Sequence, residues 1–411
     1  MSVLVLDANS NAAMAIIRSL GRKGIKVIAA DFFPRALGLK SRYAKETFCY
    51  PDPLENVSLF LKFMQQKLKE LSVELIIPTT DRTMAPMVKN RNIIPEGVIL
   101  AAPENGSFQI AQDKIKTYNL ARDCGIPVPR AIFMGKYDEF LRHSYEISYP
   151  VVVKPAQSKN WVNDKGCSLS VSYANNRDEL ISLLKQYSYA GEVIVQEYVQ
   201  AGGCGIEILA DRGEVLLAFQ HNRLREVPIS GGASSLRESA PLNRELFNYT
   251  KKLINKLHWT GVIMAEFKYN QEQKKAYLIE LNGRFWGSLN LAIASGIDFP
   301  YYLYLLLVKK EKHYLNEYKI GVKAKAITKD IEWVESALRK SDQLENMQFP
   351  SRGQALKAMS RLFEANMCYD FQSWDDPMPG IYELISIANS YLLRLGNLAR
   401  KRQHAQKVSG T

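Results

Sequence analysis

The stretch Ala276-Tyr277-Leu278-Ile279-Glu280-Leu281-Asn282-Gly283-Arg284 predicts a strand over 276–281 that ends on an acid. Side chains two positions apart on a strand share a face, so Glu280, Asn282 and Arg284 project together. Upstream, Gly261 to Phe267 reads as another candidate strand ending on Glu266. Two carboxylates and an amide oxygen form an oxygen-only cluster suited to Mg²⁺, and Arg284 can reach a transferring phosphoryl group from the same face. The plain alternative is a surface hairpin whose acids are solvated, because acidic strand residues are common.

Working outward, Asp113 is suited to cap a helix running through Lys114, Tyr118 and Ala121 and stopping near Gly125. Pro127 and Pro129 then impose an extended exit. Val151 to Val153 is a strand that delivers Lys154 and breaks at Pro155. Each lysine taken singly also suits a surface charge at an element boundary. Glu179 to Tyr187 reads as a helix and Val193 to Val199 as a strand, whose end at Glu197-Tyr198-Val199 can offer backbone groups to an adenine edge. Ile206–Ala210, Val215–Gln220, Val262–Tyr269 and Ala276–Leu281 alternate like an antiparallel sheet.

The segment before this, to about Pro103, has a different grammar. Val3–Leu6, Lys26–Ala30, Glu74–Ile77 and Val98–Ala101 look like parallel strands buried on both faces. Between them lie helical stripes over Ala12–Lys23 and Val57–Leu71, which together imply a doubly wound α/β layer. Asp31 stands where a dinucleotide-binding domain holds a ribose hydroxyl, but the first turn, Asp7-Ala8-Asn9-Ser10-Asn11, has no glycine to admit a pyrophosphate. The layer therefore reads as structural, contributing one wall of a substrate cleft.

Five cysteines lie far apart in the 411-residue chain, odd in number and without a CxxC pair, which suits a reducing cytoplasm and argues against disulfides or zinc. No apolar run reaches membrane-spanning length, and the N-terminus does not read as a secretory signal. The net charge of +12 fits nucleotide phosphates, an anionic substrate or an anionic membrane surface equally. No reader motif for nucleic acid is present, and none is expected as a partner.

The ordered run Asp113-Lys114, Gly125-Ile126-Pro127-Val128-Pro129, Val152-Val153-Lys154-Pro155, Gln196-Glu197-Tyr198-Val199, Glu266-Phe267 and Glu280-Leu281-Asn282-Gly283-Arg284 resembles the ATP-grasp superfamily, most of all the branch holding biotin carboxylase and carbamoyl phosphate synthetase. The resemblance covers roughly 1–307. It implies an N-terminal Rossmann-like domain over 1–110 and a two-lobed ATP-grasp domain over 111–308, with the lid lobe over about 130–198 and the metal-binding lobe over about 199–308; outside it, 309–411 reads as a mainly helical C-terminal extension of unknown role. By the same resemblance, Lys114 and Lys154 would contact phosphates of ATP, and Glu197 with the backbone of Tyr198 and Val199 would read adenine. Glu266, Glu280 and Asn282 would hold Mg²⁺, with Mn²⁺ as a substitute. Arg284 would stabilise the transferring phosphoryl group. The chain departs from the pattern in its phosphate-covering loop, which holds only Gly166, in Gly202-Gly203-Cys204-Gly205 where a ribose ligand is usual, leaving Glu207 as the candidate, and in Gly283, where a proline is common.

What the resemblance implies for activity is ligation of a carboxylate to an amine through an acyl phosphate, with ADP and phosphate released. Arg223, in Gln220-His221-Asn222-Arg223, and Arg237, in the loop Ser230 to Glu238, are candidates to clamp the substrate carboxylate, the plain alternative being a flexible surface turn. Biotin carboxylation fits poorly, since no lysine lies in a Met-Lys-Met context. Two other classes compete: a silent ATP-binding regulatory protein and a membrane-surface protein held by the basic tail of Arg400, Lys401, Arg402 and Lys407. The stripe Leu384, Ile385, Ala388, Leu392 and Leu395 is expected to pack on the catalytic domain, and a homodimer is open.

Overall fold

The computed structural model describes residues 2–408 apart from 144, 341–343, 345, 346 and 348, with side chains described except at 190 and 395–408. The N-terminal sheet consists of β1 (Ser2–Val5), β2 (Val27–Asp31), β3 (Ala44–Cys49), β4 (Val73–Ile77) and β5 (Ile99–Leu100), all parallel in the order β3-β2-β1-β4-β5. Alternate residues feed opposite faces. Val3, Val5, Val27, Ala29, Leu75 and Ile77 enter one core beneath the helix Asn11–Arg22. Leu4, Leu6, Ile28, Ala30 and Ile76 enter another, under Phe60, Met64 and Met84. This burial of both faces is why the strands read as unbroken apolar runs.

Asp7, in the first turn, and Asp31 are both engaged in hydrogen bonds within this layer. Asp7 adopts φ 57°, and its buried carboxylate accepts from Thr79 N, Thr80 N and Thr83 Oγ1 at 3.2, 2.9 and 2.6 Å. Asp31 is spent on Asn9 N and Phe33 N, both at 2.8 Å.

A small lobe follows, built from β6 (Ala131–Gly135), β7 (Val151–Pro155), the hairpin β8 (Lys159–Val162) and β9 (Lys165–Ser168), β10 (Ser172–Ala174) and β11 (Val193–Glu197). Its four-stranded antiparallel sheet runs β10-β7-β11-β6 and is covered by the helix Arg177–Tyr187 through Leu180 and Leu184. The large sheet holds β12 (Gly202–Asp211), β13 (Glu214–Val227), β14 (Ala233–Ser239), β15 (Gly261–Asn270), β16 (Lys275–Asn282), β17 (Lys323–Lys325) and β18 (Met367–Tyr369), in the order β16-β15-β12-β13-β14-β17-β18. Its pairs are antiparallel except β17 with β18.

Beside its helices the C-terminal part supplies two short strands, β17 and β18, that extend the large sheet, and it is fastened to the first layer. Arg18, almost fully buried, donates to Asp376 Oδ2 at 2.9 Å and to the carbonyls of Asp370, Phe371 and Asp376. One expectation is corrected: the apolar stripe of the final helix, Pro377–Val408, does not face the body. Glu383 is buried and Ile387 and Tyr391 half-buried on the body side, whereas Ile381, Leu384, Ile385, Ala388 and Leu392 are exposed. Leu395 and the basic tail residues Arg400, Lys401, Arg402 and Lys407 lie outside the residues whose side chains are described. No single helix among the described residues is long and apolar enough to cross a membrane.

Candidate active site

A cavity of about 430 Å³ opens between the small lobe and the large sheet, lined by residues from both and by Asn11 of the first layer. Glu266 and Glu280 face it as register partners on β15 and β16. Asn282, two residues beyond Glu280, donates through Nδ2 to Glu266 Oε1 and Glu280 Oε1, both at 3.0 Å. The outer oxygens meet cations: Arg223 Nη2 lies 2.5 Å from Glu266 Oε2, and Lys114 Nζ lies 3.5 Å from Glu280 Oε2.

These neighbours divide the two acids. Burial pushes Glu280 up, but Lys114, the Asn282 hydrogen bond, Lys154 and Arg284 outweigh it and bring it down to about 2. Burial pushes Glu266 up, and the negative Glu280 beside it adds to the rise against the pull of Arg223.

Lys114 opens the helix Lys114–Asp123, whose cap is Asp113 accepting from Ile115 N at 3.0 Å and Lys116 N at 3.2 Å. Its ammonium donates to Ser158 Oγ at 2.9 Å. Lys154, on the central strand β7, donates to Tyr118 Oη at 3.1 Å, and Tyr118 donates to Gln196 Oε1 at 2.8 Å. Burial lowers Lys154 to about 8 in spite of the two carboxylates nearby. Arg284 is held by Asp81 of the first layer, with Nε and Nη2 at 3.1 and 3.0 Å from Oδ2. Tyr198 and Val199 line the cavity at the end of the small lobe, and Tyr198 Oη donates to Ser230 O at 3.2 Å.

Four candidates stand elsewhere. Glu197 turns away, accepting Arg130 N at 3.0 Å, and lines the neighbouring cleft under Gly202 and Gly203. Gly166 sits in the β8–β9 hairpin, where its N–H donates to Leu54 O at 2.7 Å. A Cβ there would come within 2.3 Å of Leu54 Cδ2, so the glycine permits close approach to the first layer and its amide is already spent. Glu207 is fully buried beneath the cavity floor, beside His221 and Ser288, rather than exposed to a ribose. Arg237, also buried, pairs with Asp370, so the carboxylate it clamps belongs to the chain itself. Arg223 likewise holds Glu266 and Gly232 O instead of forming a two-arginine clamp.

The sequence reading passed over Lys268 and Glu226, which line the cavity as a 2.8 Å ion pair. Lys268 follows Glu266 by two on β15, so strand periodicity was the signal that places it on the same face. Among the described residues no group of three or more His, Cys, Asp or Glu could hold a metal ion; the carboxylate pair is completed by an amide instead.

A parallel first layer, a small antiparallel lobe and a large antiparallel sheet close on a lysine- and carboxylate-lined cleft, the architecture expected of an ATP-grasp fold. Residues 190–330 match the family described as ATP-grasp in the biosynthetic pathway with Ter operon. D-alanine–D-alanine ligase of Pseudomonas putida (strain GB-1) is 29% identical over 122 residues, 28% of this chain and 36% of that protein. The match thus spans about a third of the relative's length. N5-carboxyaminoimidazole synthetase from Staphylococcus aureus superposes with a TM-score of 0.62 at 14% identity, covering 89% of this chain and 97% of that one. A biotin carboxylase–β,γ-ATP complex from Campylobacter jejuni gives 0.59 at 17% identity, with 78% and 74% covered.

Proposed function

We propose that this chain is an ADP-forming ligase that activates a carboxylate as its acyl phosphate and joins it to an amine. The observation that carries the reading is the Glu266–Asn282–Glu280 cluster facing Lys114 and Lys154 in one cleft. The similarity to D-alanine–D-alanine ligase supports the amine as acceptor, and the likeness to a biotin carboxylase solved with an ATP analogue supports the nucleotide.

The donor set fits a hard divalent cation: two carboxylates and an amide share one strand face, and every donor is oxygen once the Asn282 amide is turned over. Glu266, Glu280 and Asn282 would hold Mg²⁺, which when bound neutralises phosphate oxygens. Mn²⁺, with the same preference for oxygen, would serve in its place. Lys114 and Lys154 bind and orient the phosphates. Tyr198 and Val199 bound the adenine end. Arg284, held by Asp81, faces the charge that develops on the transferred phosphoryl group, where positioning and neutralisation matter more than covalent help. Arg223 sets the orientation of Glu266. Five free cysteines suit a reducing cytoplasmic setting. The exposed stripe of the last helix, followed in sequence by a basic tail, supports peripheral contact with an anionic membrane surface.

The test is Mg²⁺-dependent phosphate release from ATP across a matrix of carboxylates and amines. Release that needs both partners and yields ADP supports the reading; AMP and pyrophosphate as products would refute the acyl-phosphate route.

A further inference from the structure

Behind the carboxylate cluster lies a buried histidine that the chemistry above does not use. His221 on β13, Gly205 on β12, Glu266 on β15 and Glu280 on β16 are successive register partners, forming one row across the sheet. Residues directly opposite one another share a face, so this row looks into the cavity, which His221 lines. Gly205 leaves its place in the row empty: a Cβ there would meet His221 Cε1 at 2.6 Å and Met264 Sδ at 3.0 Å. The imidazole therefore lies across the vacant position, toward Glu266.

A carboxylate lies against the ring. Nδ1 lies 2.8 Å from Glu207 Oε1, which also accepts from Ser288 Oγ at 2.9 Å. Glu207 is 0% and His221 1% exposed, and neither Nδ1 nor Nε2 of the ring makes a hydrogen bond among the described residues. Leaving a buried nitrogen unpaired costs stability, so such a group calls for an occupant that supplies the missing partner. The Glu207 carboxylate packed against Nδ1 fixes where the ring sits.

We propose that His221, backed by Glu207, is the proton acceptor for the amine substrate; the inference rests on the ligase reading. An amine arrives as its ammonium and has no lone pair until a proton leaves. His221 Nε2 takes that proton, nitrogen attacks the acyl carbon, the C–N bond forms, and the C–O bond to phosphate breaks with its electron pair on phosphate. The second nitrogen proton departs on that phosphate, and the imidazolium returns its proton to water.

The experiment compares two acceptors with the full chain, MgATP and the common D- and L-amino acids as carboxylates. One acceptor is hydroxylamine, already unprotonated at neutral pH; the others are the same amino acids as ammonium-form amines. In His221→Gln, amide formation should fall by about 10²–10⁴-fold, while hydroxamate formation stays within a factor of about three of wild type. Glu207→Gln, which keeps the ring, should show the same split to a smaller degree. Retained hydroxamate formation itself proves that the variants fold. Equal loss with both acceptors, or no loss with either, would overturn the role of His221 while leaving the ligase reading intact. A wild-type chain that forms neither hydroxamate nor amide with any acid would overturn both.

Discussion

Asp375 and Asp376 are adjacent, each ion-paired to an arginine of the same helix, and they should differ several-fold in what they contribute. Asp375 takes two bonds from Arg22 at 2.8 Å and one from Tyr43 Oη at 2.7 Å, and Arg22 holds its carboxyl well below the usual range. Yet the pair is 40% and 41% exposed, so solvent screens it and its removal should cost no more than about 1 kcal/mol. Asp376 is 1% exposed and takes Arg18 Nε, Ser41 Oγ and Arg42 N at 2.9, 2.7 and 2.9 Å. Asp376→Ala strands a buried guanidinium and a buried hydroxyl, a loss of about 3–5 kcal/mol. With an unfolding entropy of about 2.1 cal/mol/K per residue over 411 residues, a single cooperative unit loses about 1.2 °C in Tm per kcal/mol. Calorimetry should therefore show Asp376→Ala melting about 4–6 °C below wild type and Asp375→Ala within about 1 °C. Equal shifts, or a larger one for Asp375→Ala, would refute the ranking by burial.

The remaining predictions concern the cleft and the last helix. Glu280→Gln removes the more strongly ionised member of the acid pair and should reduce ADP formation by about 10²-fold or more at unchanged Tm, read by coupled phosphate release. Lys154 in the free chain carries its charge below about 8 and loses it above, so MgATP affinity measured by calorimetric titration should fall as pH rises through that value, by at most about tenfold per pH unit, and Lys154→Arg should flatten the profile. Arg237→Met strands buried Asp370 and should lower stability by about 3–5 kcal/mol in a thermal scan. A folded Arg237→Met chain with only a raised KM for the carboxylate would restore the substrate-clamp reading. Leu384→Glu with Leu392→Glu should abolish co-sedimentation with anionic vesicles and leave turnover unchanged, because both side chains are exposed and far from the cleft in sequence; loss of a dimer on gel filtration instead would assign the stripe to a second copy.

How much of this was legible in the sequence follows from what periodicity can carry. The four strands Val3–Leu6, Lys26–Ala30, Glu74–Ile77 and Val98–Ala101 were readable because a parallel strand covered on both faces is apolar throughout. Ala44–Cys49 was missed because it is the edge strand β3, with Lys45, Glu46 and Thr47 exposed and no apolar run to mark it. The three-residue strands β17 and β18 are too short for any alternation to register. In the cleft, period two brought Glu280, Asn282 and Arg284 to one face, and applied once more from Glu266 it reaches Lys268. It could not separate Arg223 from Arg237. These two are register partners on β13 and β14, both buried or nearly so, and both lie beside the same glycine–serine loop. Their difference lies in the countercharge. For Arg223 it is Glu266, inside the cavity; for Arg237 it is Asp370, 133 residues away in sequence on a segment that reads as featureless. An arginine on an alternating strand announces that a buried anion must exist, since an unpaired buried charge is too costly. Whether that anion is a substrate or the protein itself depends on which distant segment folds back to meet it, and Glu207 poses the same ambiguity with the sign reversed: it meets His221, because β12 and β13 pair Gly205 with His221 and so leave Glu207, two residues along, as the diagonal neighbour of the imidazole.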